Sequence, residues 1–404
     1  MRKSSTGAEL PRGWSSRSAG NQRDPLPFQG QIPRMPASPR RILQILPDGS
    51  SGGGGTAVLG LCSDLRAEGS WDVALITAPG SRVEQQAARD GITIFPIDFF
   101  TSRLDFRVTS RLAHHIDEFR PDLVHAHGAR AALPFCSRKL RNGTRLAYTV
   151  HGFHHTRKSF PLRQLGRLAE RHIATRADAV IFVSEGDREQ AVRERILPRD
   201  SRKGSIVVNG IDPSDFKAIV PSSEYFDLIF AGRAHPQKNP LFMVEIMEAL
   251  HGSGIRLRMI CGGELEEALK ARIAASPESD SISFTGALPR EEVLSAFLSA
   301  KLLVMPSLWE GLPIAPIEAL YCGLPVIASN IRGTDEVVID GVNGRLIDGF
   351  DAMAYAKAIR EILGNDALRR RMVTEGRRRV EDHFLRSASS VRHEAIYQSL
   401  LRSS

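Results

Sequence analysis

From Arg41 onward, short apolar runs alternate with longer stretches whose apolar residues recur at helical spacing. That pattern predicts β-α units feeding a parallel sheet covered on both faces, an α/β fold class. In the first half, RILQIL, DVALIT, TIFPI, DLVHAH, RLAYTV, AVIFVS and SIVVN predict seven strands, enough for one doubly wound domain. Between them, Thr56 to Glu68 and Val108 to Phe119 carry helical periodicity. After NGIDPSDF the pattern restarts with DLIFAG, IRLRMI, ISFTG, LLVMP and PVIAS, and SASSVRHEAIYQSLLRSS closes the chain as an amphipathic helix. The expected organisation is two Rossmann-like domains facing a cleft, over residues 41–215 and 216–385, with 386–404 returning toward the first.

In open α/β sheets the ligand sits beyond the carboxyl ends of the strands, so the chemistry is sought in the loops that follow them. The first strand leads into PDGSSGGGGTAV, with Gly52, Gly53, Gly54 and Gly55 ahead of a helix expected to begin at Thr56. Lacking Cβ atoms, such a loop lets backbone N–H groups approach an anion or a bulky ligand, although a flexible surface loop explains the same residues. Neither the dinucleotide nor the P-loop glycine pattern fits it. The fourth strand ends in VHAHGARA, which puts His125 and His127 on one side of the sheet. A metal pair there lacks a third ligand; hydrogen bonding to a ligand hydroxyl and plain packing both suit these histidines. His151, His154 and His155 of HGFHH follow the next strand and are expected on the same rim. In AGRAHPQKNP, Arg233 leaves a strand and Lys238 opens the next helix. Two such cations can converge on one phosphate or serve as exposed ion-pair partners.

The run PSLWEGLPIAPIEALYCGLPVIAS sets two carboxylates, Glu310 and Glu318, where burial penalises charge. Glu310 stands ahead of a helix expected over Ile314 to Tyr321, and Glu318 lies inside it. Eight positions at roughly 1.5 Å rise separate them by about 12 Å. That exceeds the roughly 5–9.5 Å between the carboxyl groups of a glycosidase and is comparable to the distance between the two sugars flanking a diphosphate. With the N–H groups of Gly311, Leu312 and Ile314 between them, one carboxylate can take sugar hydroxyls, the amides phosphate oxygens and the other carboxylate a ribose diol. The alternative is one glutamate capping the helix and the other salt-bridged within it.

Composition narrows the classes. A 404-residue chain with 42% hydrophobic and 25% charged residues can bury a large core, and no apolar run reaches membrane-spanning length. The polar N-terminal stretch lacks the apolar segment of a secretory signal, so a cytoplasmic protein is expected. Residues 1–40 hold seven Arg/Lys against two acids, five of the eight net positive charges, and read as a disordered basic tail. The small, diffuse excess left over argues against nucleic acid as a partner. Cys62, Cys136, Cys261 and Cys322 lie far apart in apolar segments, which predicts reduced packing residues rather than a zinc site.

At EGLPIAPIE the chain resembles the retaining glycosyltransferases of family 4, which have the GT-B fold. The resemblance extends through EALYCGLPVIASNIRGTDEVVIDGVNGRLID, GRAHPQK, VNGID, YTVHGFHH and the glycine-rich first loop, nearly everything from Arg41 onward. It implies that Glu310 binds hydroxyls of the donor hexose, Glu318 the ribose, and His127 the transferred sugar. By the same resemblance Arg233 and Lys238 neutralise the departing diphosphate, Gly53 to Gly55 close over the diphosphate and acceptor, and Gly262 and Gly263 lie near the nucleoside. Where family members often have two glycines and a glutamate this chain has IRGTDEVV, so Gly333 through Glu336 receive no assigned contact. Two cations and a helix start stabilise a leaving group without a metal, and the sequence has no Asp-x-Asp, so neither cofactor nor metal is expected.

Thr156 to Arg176 carries six Arg/Lys against one Glu, with Leu162, Leu165, Leu168, His172 and Ile173 at helical spacing. A basic amphipathic helix resting on anionic lipid and a charged face over a core stripe both explain it. The HGFHH neighbourhood resembles transferases that build bacterial surface polysaccharides. The expected partners are therefore a nucleotide-sugar donor and a saccharide or polyprenyl-diphosphate-linked saccharide acceptor, with at most peripheral contact at the inner face of the plasma membrane. An epimerase of the same fold, or a silent nucleotide-sugar-binding protein, are the rival readings.

Overall fold

The computed structural model describes residues 38–49, 52–100, 106–137, 140 and 143–402, so all but the last three residues of the expected basic tail lie outside the described residues. Seven strands, β1 (Arg40–Ile45), β2 (Trp71–Thr77), β3 (Thr93–Pro96), β4 (Leu123–His127), β5 (Arg145–Val150), β6 (Ala179–Phe182) and β7 (Gly204–Ile206), form a parallel sheet in the order β3-β2-β1-β4-β5-β6-β7. Six more, β8 (Phe226–Arg233), β9 (Leu257–Gly262), β10 (Ile282–Phe284), β11 (Ala300–Met305), β12 (Val326–Ser329) and β13 (Gly344–Ile347), form a second, ordered β10-β9-β8-β11-β12-β13. The sequence pattern had provided all but β13, a four-residue strand within NGRLID whose inner side chains are only half-buried and whose apolar run is correspondingly short.

Strand order reverses between β1 and β4 in the first sheet and between β8 and β11 in the second, and these are the crevices where such sheets bind ligands. In the first, Ile45 pairs with Ala126, which sets the start of the glycine-rich segment beside His127. In the second, Leu303 pairs with Ile229, which sets Arg233 and the segment after Met305 at one rim. Both sheets are buried on both faces, so their central strands read as continuous apolar runs. Three tyrosines within these layers keep their hydroxyls satisfied. Tyr148 donates to Glu170, Tyr355 pairs with Ser329 and Tyr397 pairs with His125.

The final helix, Arg386–Arg402, packs along helix Gly53–Ala67. Arg386 holds Asp64 with Nε and Nη2 at 3.1 and 3.0 Å and reaches Asp212 at 2.5 Å. Beside it, Ile211 exchanges backbone hydrogen bonds with Phe384 and Arg386, so the two crossings between the sheets run side by side.

Two sequence expectations need correction. The helix after β1 begins at Gly53, so Gly53 to Gly55 form its first turn rather than a free loop. Of the two readings of the basic helix, the core stripe does not form: the helix runs Phe160–Arg176 behind a 3-10 turn, His154–Arg157, and of the apolar positions named for it only Ile173 is buried, while Leu162, Leu165, Leu168 and His172 face outward. The inner face is made instead by Glu170, Ile173 and Ala174, because Tyr148 beneath it supplies a hydroxyl partner for Glu170. Cys62 and Cys261 are buried and Cys136 and Cys322 half-buried, all four as free thiols.

Candidate functional site

The second switch point gathers the cations and the first carboxylate. Arg233 ends β8, and a 3-10 turn, Pro236–Lys238, closes with Asn239 in the left-handed region. This turn swings Lys238 back over the loop after β11, where its Nζ lies 2.6 Å from Glu310 Oε1. Gln237 joins them: its Nε2 donates to Glu310 Oε2 at 3.2 Å and to the Trp309 carbonyl at 3.0 Å, while its Oε1 accepts from Arg233 Nη2 at 3.3 Å. Arg233 also faces Asp48 of the first domain at 3.4 Å. Glu310 is 5% exposed at its side chain and Arg233 42%, so the cluster grades from a buried carboxylate to an open guanidinium. Arg233, Lys238 and Glu310 come together, as the sequence suggested, and Gln237, which makes three hydrogen bonds in the cluster, was missed inside the quoted GRAHPQK.

Two helix starts meet beside this cluster. Helix Ile314–Tyr321 begins behind Pro313 and helix Gly53–Ala67 behind Gly52, neither with a side-chain cap. A Cβ on Gly53 would stand 2.9 Å from Ile314 Cβ, so a glycine is what allows the two termini to touch. Gly54 faces open space. Leu312 and Ile314 are themselves buried. The loop around Gly311 is fixed from two sides. Its Cβ position lies 3.1 Å from the His151 carbonyl, and Gly333, at φ +84°, sits so close that a Cβ there would fall 1.7 Å from the Gly311 oxygen. Thus Gly333, left unassigned from sequence, braces the Glu310 loop.

Glu318 is positioned differently from the expected bare acceptor. Arg290 grips its Oε1 with Nε at 2.9 Å and Nη2 at 2.8 Å, and Arg290 Nη1 binds Asp215 at 2.8 Å. Burial raises the Glu318 pKa, and Arg290 works against that rise. Burial opposes the charge on Arg290 too, yet Glu318 and Asp215 hold its pKa above the ordinary value. Gly262 ends β9 and Gly263 follows it, at φ +145° against the Ala234 carbonyl, at the same rim of the second sheet.

In the first domain, His127 is buried at the end of β4. Its Nε2 lies 2.8 Å from Gln44 Oε1 and its Nδ1 3.1 Å from His151 Nε2. With the amide oxygen accepting, the proton sits on Nε2, and Nδ1 accepts from His151. Burial, then the neighbouring His125, His151 and His393, hold the His127 pKa well below the ordinary value, so the ring is neutral. His125 does lie on the same side, with ring centroids 4.0 Å apart, but it is fully buried with both nitrogens engaged by Tyr397 and Thr149. It supports His127 rather than meeting a ligand. His155, expected on the rim, turns inward to Glu194 at 2.6 Å, and the side chain of His154 lies outside the described residues. A cavity of about 20 Å³, lined by His127, His151, Asn209, Arg386 and His393 among others, has room for one water.

The domains also touch through Glu336, which was not foreseen. Its carboxylate accepts from the backbone N–H groups of Glu185 and Gly186 at 3.0 and 2.8 Å, while Ser184 accepts from Asp187. All three leading amides of helix Glu185–Arg193 are thereby satisfied, two of them by the opposite domain.

Comparison with known proteins accords with this geometry. Residues 52–203 match the family model "Glycosyl transferase 4-like domain" and residues 212–379 the model "Glycosyl transferases group 1". The UDP-Gal:alpha-D-GlcNAc-diphosphoundecaprenol alpha-1,3-galactosyltransferase of Escherichia coli is 26% identical over 265 residues, 61% of this chain and 67% of that protein. Among solved structures, Anabaena Alr3699/HepE in complex with UDP and glucose superposes with a TM-score of 0.75 at 16% identity, over 89% of this chain and 100% of that one. Sucrose-phosphate synthase from Thermosynechococcus elongatus gives 0.74 at 20% identity, over 90% and 100%. Two parallel-sheet Rossmann-like domains are the fold that these neighbours share with it.

Proposed function

For a chain that belongs to the group 1 and 4-like glycosyltransferases of GT-B fold, we propose transfer of a hexose or N-acetylhexosamine, with retention of anomeric configuration, from a uridine diphosphate sugar to a polyprenyl-diphosphate-linked or free saccharide in bacterial surface polysaccharide synthesis. The observation that carries this reading is the convergence of Arg233, Gln237, Lys238 and Glu310 beside two uncapped helix starts that touch at Gly53 and Ile314. Uridine and the lipid-linked acceptor are taken from the printed names of the compared proteins.

Breaking the glycosidic bond sends negative charge onto the departing diphosphate and positive charge onto the sugar ring. In the proposed mechanism Arg233, Lys238 and the two helix starts take the diphosphate, which needs no metal, and the fixed helix starts need not reorient as the charge develops. Glu310, freed from part of its pairing with Lys238, accepts sugar hydroxyls. Neutral His127 donates from Nε2 or accepts at Nδ1 on the acceptor side, once a ligand competes with Gln44 or His151. Glu318, oriented by Arg290, offers its second oxygen to the ribose. A phosphate oxygen of the leaving group receives the acceptor's proton on the same face. An acceptor anchored in lipid would bring the protein to a membrane as a peripheral protein.

The test is UDP release from a panel of UDP sugars, with and without a polyprenyl-diphosphate-linked saccharide, and with the product anomer read by NMR. Acceptor-dependent release insensitive to a chelator supports the proposal. Donor consumption without acceptor indicates an epimerase, donor binding without turnover a silent protein, and an inverted product overturns the retaining mechanism.

A further inference from the structure

The outward side of helix Phe160–Arg176 is apolar where a domain surface should be polar. Phe160, Leu162, Leu165 and Leu168 are 76, 51, 64 and 55% exposed. Leu162, Leu165 and Leu168, three residues apart in turn, form one ridge along a helix roughly 25 Å long, and Phe160 stands exposed at the start of that helix. The charge exposed on this helix itself is positive. The segment's single acid, Glu170, is buried on the inner face, hydrogen-bonded to Tyr148 at 2.7 Å. Lys158, Arg163 and Arg171 are exposed, and Arg167 is half-buried on the same helix. Among the described residues no acidic side chain forms an ion pair with Arg167 or Arg171, whereas Arg163 has Glu194 at 4.0 Å. This helix leaves three leucines in a row exposed and, among the described residues, two arginines without an acidic partner.

The ridge also has a fixed place relative to the catalytic loop. Arg157, three residues before Phe160, donates to the Leu308 carbonyl at 2.6 Å and lies over the Trp309 ring, 4.9 Å from its centroid. Trp309 precedes Glu310. The ridge therefore starts at the edge of the cleft rather than on a remote face.

We propose that Phe160, Leu162, Leu165 and Leu168 insert into the interface of an anionic lipid bilayer, with Arg167 and Arg171 on the headgroups, so that the cleft beside Trp309 opens at the membrane surface. The apolar side chains supply burial and the arginines select anionic over neutral lipid. That the cleft then receives a lipid-linked acceptor rests on the function proposed above; the membrane contact itself does not.

The experiment is sedimentation of the full chain with vesicles of phosphatidylcholine alone or mixed with phosphatidylglycerol, without donor or acceptor. The expected result is binding to the anionic vesicles at least tenfold tighter than to the neutral ones. Leu165→Glu with Leu168→Glu should abolish it. Arg167→Ala with Arg171→Ala should weaken it about 30-fold, roughly fivefold for each charge. All variants should keep the melting temperature and the UDP-induced thermal shift of the unmutated chain, which separates this proposal from the fate of the transferase reading. The basic residues of 1–40 are present in every variant and cannot produce a difference between them. Unchanged binding by the leucine variant overturns the proposal. So does equal affinity for both vesicle types, or a dimer in light scattering that the leucine variant dissolves while vesicles go unbound.

Discussion

The ion pair between Lys238 and Glu310 offers a sharp test because its structural and chemical roles predict different outcomes for a double substitution. The side chains are 15 and 5% exposed and 2.6 Å apart. Coulomb's law at an effective dielectric of about 20 gives about 6 kcal/mol for that separation, most of which desolvation offsets. Removing one partner leaves a buried charge without its counter-ion, at a cost of about 3–5 kcal/mol. Lys238→Met and Glu310→Gln should each lower urea-unfolding stability by that amount. The double variant, which leaves neither charge exposed to the low-dielectric interior, should recover most of it. Transfer should not recover. Each single variant and the double should lose about 2.7–4 kcal/mol of transition-state stabilisation, or about 10²–10³ in kcat, since both groups act on the donor. UDP release with saturating donor and acceptor measures this. A double variant within tenfold of the unmutated rate would make the pair a scaffold and remove both residues from the mechanism.

Glu170 has a pKa raised to about 7, chiefly by burial, with the Tyr148 hydroxyl acting the other way. Its folded pKa lies above its unfolded one, so stability is lost as pH rises from about 4.5 to 7, and Glu170→Gln should exceed the parent by about 3 kcal/mol at pH 8 but not at pH 4 in urea titrations. Burial lowers the His393 pKa to about 4, so the folded state takes up its proton later than the unfolded one; stability from this group is lost as pH falls from about 6.5 to 4, and His393→Phe should flatten that acid limb. Gly333→Ala drives a Cβ into the Gly311 carbonyl at positive φ, with an expected cost of about 2–5 kcal/mol and a collapse of transfer rate, read by calorimetry and UDP release. Glu336→Ala strips two amides of their acceptor across the domain boundary, for about 1–2 kcal/mol, and an increased radius of gyration in X-ray scattering would show the domains parting.

What the sequence determined by itself is the local geometry. Short apolar runs, the 3.6-residue period and the turn residues located twelve of the thirteen strands among the described residues, and helix Ile314–Tyr321 to its last residue, because these depend on neighbours within a few positions. The meeting of Arg233, Lys238 and Glu310 was also legible, since parallel strand ends share one rim whatever the side chains. Only the tertiary structure decided who partners each buried charge. Glu318 is held by Arg290, 28 positions away, and Arg290 by Asp215, 75 away. His155 turns in to Glu194 rather than out to the rim, and Leu162, Leu165 and Leu168 turn out because Tyr148 draws Glu170 in. Periodicity states that one face of a helix is buried, but a desolvated charge costs enough that the position of its partner chooses which face that is.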